Sequence, residues 1–215
     1  MGYGIFNSDT YVKDEVDRLV KIFDIDVMVE TGTFEGESTR YMSQIVKEVH
    51  SIEIVEHTYD ATFKKIQEEI KLGAENYQKI KLHLGDSGKV LKDVLEKIDT
   101  SNSKPVFFYL DAHWHQYWPI LDELKVIGKY CYDNAVIVID DFQVPGTDLG
   151  YDEYDNVVLN YEFIKADLDN IYSRYAYYYN TPQKANGYRR GKIYIYPYKE
   201  CYLEEFPNSQ IVKGI

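Results

Sequence analysis

Carboxylates follow one apolar run after another along this 215-residue chain. The runs are short and continuous, which is typical of parallel strands buried on both faces. Open α/β sheets bind their ligands outside the carboxyl ends of such strands. Because an unpaired buried charge is costly, stability alone does not favour so many strand-end acids, although one or two, such as Asp86, could cap helices. The pattern predicts a ligand site at this edge of the sheet. The acids concerned are Glu30, Glu53, Asp86, Asp111, Asp140 and Asp141.

A glycine-rich turn follows the first of these runs. The run over residues 27–30 leads into Gly32 and Gly36, and a helical pattern opens near Ser38. A strand, a glycine turn and a helix N-terminus together place backbone N–H groups around a ligand. Glu53 ends the second run about 20 residues beyond Gly32, where an acid can accept hydrogen bonds from ribose hydroxyls. The stretch predicts a nucleoside cofactor site; the alternative for Glu53 is a solvent-exposed strand end.

The residues around the turn argue against a pyrophosphate ligand. The turn lacks the G-x-G-x-x-G pattern of dinucleotide-binding proteins, and Glu30, Glu35 and Glu37 surround it. These carboxylates would repel an anionic pyrophosphate. A nucleoside that carries an amino-acid tail fits better, with Glu30 shaping the floor of the cradle.

The elements that must position these residues alternate between strand and helix. Five apolar runs separated by helical patterns indicate an α/β, doubly wound, Rossmann-like sheet. Two aromatic runs, residues 175–179 and 192–196, predict antiparallel neighbours near the C-terminus. The expected sheet is therefore seven-stranded and mostly parallel, with an antiparallel C-terminal strand. The other predicted strands are 27–30, 50–54, 80–84, 106–110 and 135–139, and the predicted helices start at Ser8 or Asp9, cover 36–49 and 59–72, start at Ser87, and cover 119–130 and 156–171.

The chain is predicted to form a single domain over residues 1–215, because no composition shift marks a boundary. Residues 1–24 form an N-terminal helical segment that packs across the sheet or covers the cofactor. Residues 25–142 form the cofactor-binding core. Residues 143–215 supply the substrate loops and the C-terminal strands.

Three motifs at successive strand ends are similar to those of one enzyme superfamily. Residues 29–38 read Val-Glu-Thr-Gly-Thr-Phe-Glu-Gly-Glu-Ser, residues 51–54 read Ser-Ile-Glu-Ile, and residues 84–87 read Leu-Gly-Asp-Ser. Together they resemble the cofactor motifs of class I S-adenosylmethionine-dependent methyltransferases. The resemblance implies that S-adenosylmethionine binds here, with Glu53 on the ribose and Asp86 near adenine. The implied cofactor-binding residues are Glu30, Thr31, Gly32, Thr33, Gly36, Ser38, Glu53, Asp86, Ser87 and Asp111.

Two further motifs resemble the metal-dependent small-molecule O-methyltransferases, in particular the macrocin O-methyltransferase group, which acts on sugars. They are Leu-Asp-Ala-His at residues 110–113 and Ile-Asp-Asp-Phe at residues 139–142. The resemblance implies that Asp111, Asp140 and Asp141 hold one divalent cation, usually Mg²⁺. Carboxylates on two adjacent strand ends also suit Mg²⁺ on chemical grounds, since it prefers hard oxygen ligands completed by water.

The predicted reaction is methyl transfer to a hydroxyl of a small polar acceptor, such as a sugar or glycan. The cation would bind the hydroxyl, lower its pKa and orient its oxygen towards the methyl sulfonium. Asp111 or His113 could take the proton, and His113 could equally be a structural histidine. Trp114 and His115 are expected to line the substrate cleft or to pack at the start of the next helix.

The acceptor is expected to lie between two loops, residues 143–154 and 181–190, which follow strands at the ligand edge. Aromatic and guanidinium side chains suit sugar rings or an anionic group, but they equally suit a solvated surface. The residues concerned are Tyr151, Tyr154, Tyr188, Arg189 and Arg190.

The composition restricts the classes of binding partner and the cellular compartment that we expect. A net charge of −12 disfavours nucleic acid, since the one basic cluster, Arg189 and Arg190 with Lys192, is short. Two cysteines without metal spacing fit a reducing compartment. With no signal-peptide pattern and no long apolar run, the protein is expected to be cytoplasmic and to bind no membrane. The aromatic C-terminal strands could pair with another subunit, so a homodimer is one expected assembly.

Two other functions stay open at this stage. Asp111, His113 and His115 could form a non-haem iron site for oxygen chemistry if the strand continued to His115. Alternatively, the chain could be a non-catalytic cofactor-binding module.

Overall fold

An eight-stranded sheet organises the computed structural model, which describes residues 4–98, 104–113 and 117–213. The strand order is β10-β8-β9-β5-β4-β1-β2-β3. Strands β1 to β5 pair in parallel, β9 is antiparallel to β5, and β8 and β10 continue the antiparallel pairing to the edge. The strands are β1 Val27–Thr31, β2 Glu48–Glu53, β3 Ile80–Leu84, β4 Val106–Leu110, β5 Ala135–Ile139, β8 Arg174–Tyr179, β9 Ile193–Pro197 and β10 Gln210–Lys213.

Helices cover both faces of this sheet. A two-stranded hairpin, β6 Glu153–Tyr154 with β7 Val157–Val158, lies apart from it, and a 3₁₀ helix at Glu75–Lys79 precedes β3. The helices are α1 Ile5–Ser8, α2 Thr10–Ile22, α3 Glu37–Ile45, α4 Glu56–Lys71, α5 Ser87–Leu95, α6 Ile120–Tyr130, α7 Tyr161–Ile171 and α8 Glu200–Glu205.

Alternating side chains of the central strands supply two cores. Phe107 and Tyr109 of β4 pack on one face with residues of α2 and α3, whereas Phe108 and Leu110 pack on the other with α5, α6 and α7. Successive side chains of a strand point to opposite faces, so an apolar run such as 106–110 is buried on both sides. The acids that follow β4 and β5 are thereby held at the ends of strands that are buried on both faces.

The predicted α/β, mostly parallel fold is confirmed, but the strand count of seven is wrong. Residues 210–213 add β10 to the edge, where Ile211 pairs with Ala176. This strand was missed because it is short and its residues are mostly exposed, so it lacks a strong apolar alternation.

Several predicted boundaries also shift. The predicted helix over 156–171 begins at Tyr161, because Val157–Val158 forms the small hairpin and the Asn160 side chain caps the helix by accepting from the N–H of Phe163 at 3.0 Å. The predicted helix over 36–49 ends at Ile45, and β2 begins earlier than predicted, at Glu48. No helix within the described ranges is both long enough and apolar enough to cross a membrane.

Candidate active site

The glycine turn after β1 passes directly beneath the end of β4. Gly32 has a left-handed φ of +88°, and a Cβ at this position would lie 2.7 Å from the carbonyl oxygen of Asp111. Only glycine fits both the conformation and the contact. Gly36, also left-handed, precedes the first residue of α3, so the helix N-terminus faces the space above the turn. The predicted succession of a strand, a glycine turn and a helix N-terminus is present.

Glu30 forms the floor beside this turn. Its carboxylate is 2% exposed and accepts hydrogen bonds from the hydroxyls of Ser51, at 2.6 Å, and Thr39. Burial raises the pKa of Glu30 to about 7, against the lowering effect of these two hydrogen bonds. Glu30 is therefore a well-anchored carboxyl group whose charge is sensitive to what binds above it.

Glu53 ends β2 and faces the turn from the opposite side. One carboxylate oxygen accepts from the N–H of Phe34 at 2.8 Å, and the other accepts from the N–H of Val55 at 2.9 Å. Each carboxylate oxygen can accept a second hydrogen bond, so the group remains competent to bind a pair of hydroxyls. These backbone contacts fix its orientation in advance.

Asp86 and Ser87 border the cavity beyond Glu53. Asp86 caps α5 through the N–H of Gly88 at 3.1 Å, and it receives the Tyr117 hydroxyl at 3.3 Å and the Lys89 ammonium at 2.9 Å. Both the helix-cap role and the predicted edge position are therefore correct for Asp86. Tyr117 stands at this edge as a residue that the sequence reasoning did not single out.

Asp111, His113 and Asp141 come together across the ends of β4 and β5. One ligand atom from each of the three lies within 4.8 Å of those of the other two. Burial and the charges of Asp140 and Asp141 raise the pKa of Asp111 well above its usual range. This cluster, the acidic triad, places two carboxyl groups beside an imidazole.

The predicted metal ligand Asp140 lies outside the acidic triad. Its carboxylate is 2% exposed and forms a buried ion pair with the Lys192 ammonium at 2.6 Å, while Tyr109 donates its hydroxyl at 2.6 Å and Asn7 its amide at 3.2 Å. The chain bends after β5, where Asp141 has a left-handed φ of +54°, so the adjacent carboxylates of Asp140 and Asp141 reach different partners, Lys192 and Arg190. The structure brings His113 rather than Asp140 to the other two acids.

A guanidinium joins the triad to the loop that follows β5. Arg190 donates from Nε to Asp141 and from Nη2 to Asp152. Its neighbour Arg189 pairs with Asp148 at 3.1 Å. With Lys192 paired to Asp140, every member of the basic cluster seen in the sequence has an acidic partner, and the cluster forms no open basic patch.

The N-terminal turn covers the sheet edge between these groups. The N–H of Phe6 donates to the Ser38 hydroxyl at 3.0 Å, and the Asn7 carbonyl accepts from the N–H of Tyr188 at 3.3 Å. Residues 4, 6 and 7 line the cavity. The predicted covering role of the N-terminal segment therefore belongs to α1, whereas α2 packs on the sheet face.

One cavity of about 770 Å³ contains these features. Of the predicted cofactor-binding residues, all line it except Thr31, which is fully buried within β1. His113 and Asp141 also line it, and Asp140 does not. Trp114 and His115 lie outside the described residues. The predicted residues that line the cavity are Glu30, Gly32, Thr33, Gly36, Ser38, Glu53, Asp86, Ser87, Asp111, His113 and Asp141.

Sequence reasoning missed the residues that support the site from a distance along the chain. Asn7, Tyr109 and Lys192 hold Asp140, and Thr39 with Ser51 holds Glu30. Local spacing gives no signal for them, because their partners lie far away in sequence. Asp152 was missed as well, although it sits in a loop that was predicted to surround the acceptor.

This sheet, with its cavity at the carboxyl ends of the parallel strands, defines a Rossmann-like α/β protein. A family model described as a methyltransferase domain matches residues 29–142, which is more than half of the chain. The chain belongs to this methyltransferase family. The predicted resemblance to class I methyltransferases is thereby confirmed, while the closer relation to the macrocin group stays a prediction.

Solved structures share the fold at low sequence identity. The O-methyltransferase TomG from Streptomyces achromogenes, solved with S-adenosylmethionine, matches with a TM-score of 0.58 and 18% identity over 86% of this chain and 78% of its own. An O-methyltransferase from Bacillus cereus, solved with S-adenosylhomocysteine, matches with a TM-score of 0.52 and 18% identity over 84% and 78%. The methyltransferase domain of a bacterial CtHen1 matches with a TM-score of 0.53 and 8% sequence identity, and the match covers 85% of this chain and 95% of that domain. No curated protein sequence matches the chain significantly.

Proposed function

We propose that this chain is an S-adenosylmethionine-dependent O-methyltransferase that acts, with a divalent cation such as Mg²⁺, on a hydroxyl of a small polar acceptor such as a sugar or glycan. One observation carries the proposal: a single cavity joins the glycine turn, Glu53 and Asp86 at one end to the acidic triad at the other. The first set suits a nucleoside cofactor, and the second suits a reacting hydroxyl.

The cofactor half of the cavity matches a cationic nucleoside. Glu53 offers two oriented oxygens to ribose hydroxyls, Asp86 and Ser87 flank the adenine end, and Glu30 faces the amino-acid tail. The positive sulfonium and amino groups of S-adenosylmethionine would be attracted by the carboxylates that repel a pyrophosphate. The neighbours solved with this cofactor or its product support the same assignment.

The donor atoms of the triad fit a hard divalent cation. Asp111 and Asp141 supply carboxylate oxygens close to one another, which is the ligand type that Mg²⁺ takes together with water. Imidazole is a poorer ligand for Mg²⁺ than for iron or zinc, so His113 remains available for proton transfer. Asp111 and Asp141 would hold the cation, which supplies Lewis-acid polarisation of the acceptor hydroxyl.

The chain's own residues would do the rest of the chemistry. His113 lies beside the two carboxylates and can take the hydroxyl proton as the oxygen attacks the methyl carbon, with Asp111 as the other group in reach. Arg190 and Tyr188 border the same end of the cavity and can orient the acceptor. The N-terminal turn at Phe6 and Asn7 helps to exclude water from the reacting atoms.

The charge of the cavity favours a neutral or cationic acceptor. Among its described lining residues, Arg190 is the one guanidinium or ammonium, and two carboxylates already engage it. An anionic acceptor would meet eight lining carboxylates with no unpaired basic partner. This supports an acceptor without negative charge, such as a polyhydroxyl compound, and argues against nucleic acid. The lining carboxylates are Glu30, Glu35, Glu37, Glu53, Asp86, Asp111, Asp141 and Asp152.

Calorimetry with S-adenosylhomocysteine tests the proposal most directly. We expect binding by the purified chain and no binding by a Glu53→Ala variant, with Glu68→Ala, an exposed acid of α4, as the matched control. Absence of binding to the unaltered protein, both with and without Mg²⁺, would refute the cofactor assignment. If the cofactor binds but a panel of sugars and glycans gives no methylated product, a non-catalytic cofactor-binding module is favoured instead.

The iron-site alternative depends on His115, which lies outside the described residues. Tight Fe(II) binding that is lost in His115→Ala, together with no affinity for the methyl donor, would favour it.

A further inference from the structure

A chain of three side chains leads from the loop after β5 to His113. The hydroxyl of Tyr154 lies 3.3 Å from Nδ1 of His113 and 3.1 Å from Oδ2 of Asp152. The other oxygen of Asp152, Oδ1, accepts from Nη2 of Arg190. Each of the four groups therefore has a partner in a fixed order, and the order determines where the protons lie.

The Tyr154 hydroxyl donates a hydrogen bond to Asp152. A carboxylate paired with a guanidinium only accepts hydrogen bonds, so Tyr154 must donate to it. Burial and the nearby Asp152 charge raise the pKa of Tyr154 to about 12, so the phenol keeps its proton at neutral pH. The oxygen of Tyr154 is then left to act only as an acceptor towards His113.

Nδ1 of His113 must in turn carry a proton to complete this contact. A neutral imidazole has one N–H and one lone pair, so a protonated Nδ1 leaves the lone pair on Nε2. The less common of the two neutral tautomers would thus be selected by the protein. In serine hydrolases, a carboxylate that contacts the catalytic histidine directly selects its tautomer in the same way.

The surroundings hold the Tyr154 ring in place. Trp118 packs against it with ring centroids 4.6 Å apart, and Tyr154 belongs to the β6–β7 hairpin, where it pairs with Val157. The N–H of Asp152 donates to the carbonyl of Asp141 at 2.8 Å, which ties this segment to the acidic triad. The hydroxyl is therefore presented to His113 by a packed scaffold.

We propose that Tyr154 and Asp152 are positioning residues that hold His113 as its Nδ1–H tautomer and leave Nε2 as the proton acceptor. The role rests on the proposed methyl transfer. The acceptor oxygen forms the bond to the methyl carbon, the sulfonium carbon–sulfur bond breaks, and S-adenosylhomocysteine leaves. The hydroxyl proton moves to Nε2 of His113, and the resulting imidazolium, still donating to Tyr154, later releases it to water.

Nitrogen-15 NMR of labelled histidine tests the tautomer without an acceptor or a metal. At alkaline pH, where imidazole is neutral, we expect the Nδ1–H pattern for His113 in the unaltered protein, with the signal assigned by its loss in His113→Gln. Tyr154→Phe removes the acceptor and should move His113 towards the Nε2–H form. Tyr132→Phe, which alters an exposed tyrosine that does not line the cavity, is the control and should leave the His113 pattern unchanged.

An isosteric change at Asp152 gives a second, sharper test that does not depend on Tyr154→Phe folding. In Asp152→Asn, the amide oxygen can keep the Arg190 contact while the amide nitrogen replaces Oδ2 and donates to Tyr154. Tyr154 would then donate to Nδ1, and His113 should switch to Nε2–H. An Nε2–H form in the unaltered protein, or an Nδ1–H form that persists in both variants, would overturn the proposal.

Turnover gives a further readout that loss of packing would not produce. With an acceptor that the enzyme methylates, Tyr154→Phe should lower kcat by about 10- to 100-fold with KM and S-adenosylhomocysteine affinity little changed. The two failures are distinguishable. Binding of S-adenosylhomocysteine without the Nδ1–H tautomer refutes the positioning role alone, whereas the tautomer without binding of S-adenosylhomocysteine refutes the methyl transfer and, with it, the use of Nε2 as the proton acceptor.

Discussion

The Lys192 ammonium lies 2.6 Å from the Asp140 carboxylate, and both side chains are almost completely buried. Lys192 directly precedes β9, and Asp140 directly follows β5, the antiparallel neighbour of β9 in the sheet. This ion pair withdraws one of two adjacent acids from the cavity and leaves the other, Asp141, to the acidic triad. Asp140 is therefore a structural carboxylate, whereas Asp141 is available for chemistry in the acidic triad.

Removing Lys192 should be strongly destabilising. Lys192→Met leaves the buried Asp140 charge without its cation, which typically costs about 3–5 kcal/mol. Urea unfolding measures the change, and the exposed pair offers the control: Lys125→Met, which removes the 3.2 Å contact to Asp122, should change stability by less than about 1 kcal/mol. The double variant Lys192→Met with Asp140→Asn should recover part of the loss. Equal stability of Lys192→Met and the unaltered protein would contradict the assigned role.

Gly32 should tolerate alanine much less well than Gly73 does. Both have left-handed backbones, at +88° and +103°, so each substitution carries a conformational cost of about 1–2 kcal/mol. A Cβ on Gly32 additionally meets the Asp111 carbonyl at 2.7 Å, whereas a Cβ on Gly73 meets nothing within 4 Å. Gly32→Ala should therefore unfold at lower urea concentration than Gly73→Ala and should also lose affinity for S-adenosylhomocysteine. Similar effects of the two substitutions would show that the close approach is unimportant.

Asp141, rather than Asp140, should control binding of a divalent cation. Asp141→Asn removes one carboxylate of the acidic triad, and we expect Mn²⁺ affinity, followed by calorimetry, to fall at least about tenfold while S-adenosylhomocysteine binding persists. Asp148→Asn, which alters the exposed partner of Arg189, should leave Mn²⁺ affinity unchanged. Retention of full affinity in Asp141→Asn would exclude the triad as the cation site.

Glu123 should make stability depend on pH in a specific direction. It is 1% exposed, and burial raises the pKa of its carboxyl group from 4.5 to about 7. Between these values the folded chain holds a proton that the unfolded chain has lost, so this group's contribution to stability falls as pH rises from about 4.5 to 7. Glu123→Gln cannot lose a proton, so its stability relative to the unaltered protein should rise across that window.

The size of this change should be on the order of 2–3 kcal/mol between pH 4.5 and pH 8. Unfolding curves at several pH values measure it as a difference between the variant and the unaltered protein, which cancels the titration of other groups. Glu68→Gln, an exposed acid, controls for the loss of one charge. A difference between Glu123→Gln and the unaltered protein that does not vary with pH would contradict the prediction.

The local sequence pattern was sufficient to predict those strands whose burial is visible in the order of their apolar residues. The runs 106–110 and 135–139 match their strands residue for residue, because a parallel strand covered on both faces must be continuously apolar. The run 80–84 also matches its strand, although this edge strand alternates apolar and polar residues and is only partly buried. Parallel pairing of β1 to β5 brings the acids at their carboxyl ends to one edge of the sheet, so Glu53, Asp86 and Asp111 border one cavity as predicted. Exposed elements were less predictable: β10 and the β6–β7 hairpin have few buried residues and so leave little trace in the pattern.

The sequence by itself thus determined the sheet, the glycine turn and the side of the sheet on which the acids gather. Only the tertiary structure decided which carboxylate is structural and which lines the site. Two aspartates have the same chemistry, and they differ here because side chains from distant parts of the chain contact each of them. Lys192 and Tyr109 bury Asp140, Arg190 holds Asp141, and Tyr154 reaches His113 across 41 residues. Spacing along the chain encodes where a strand ends, but the charge and orientation of a side chain depend on what packs against it in space.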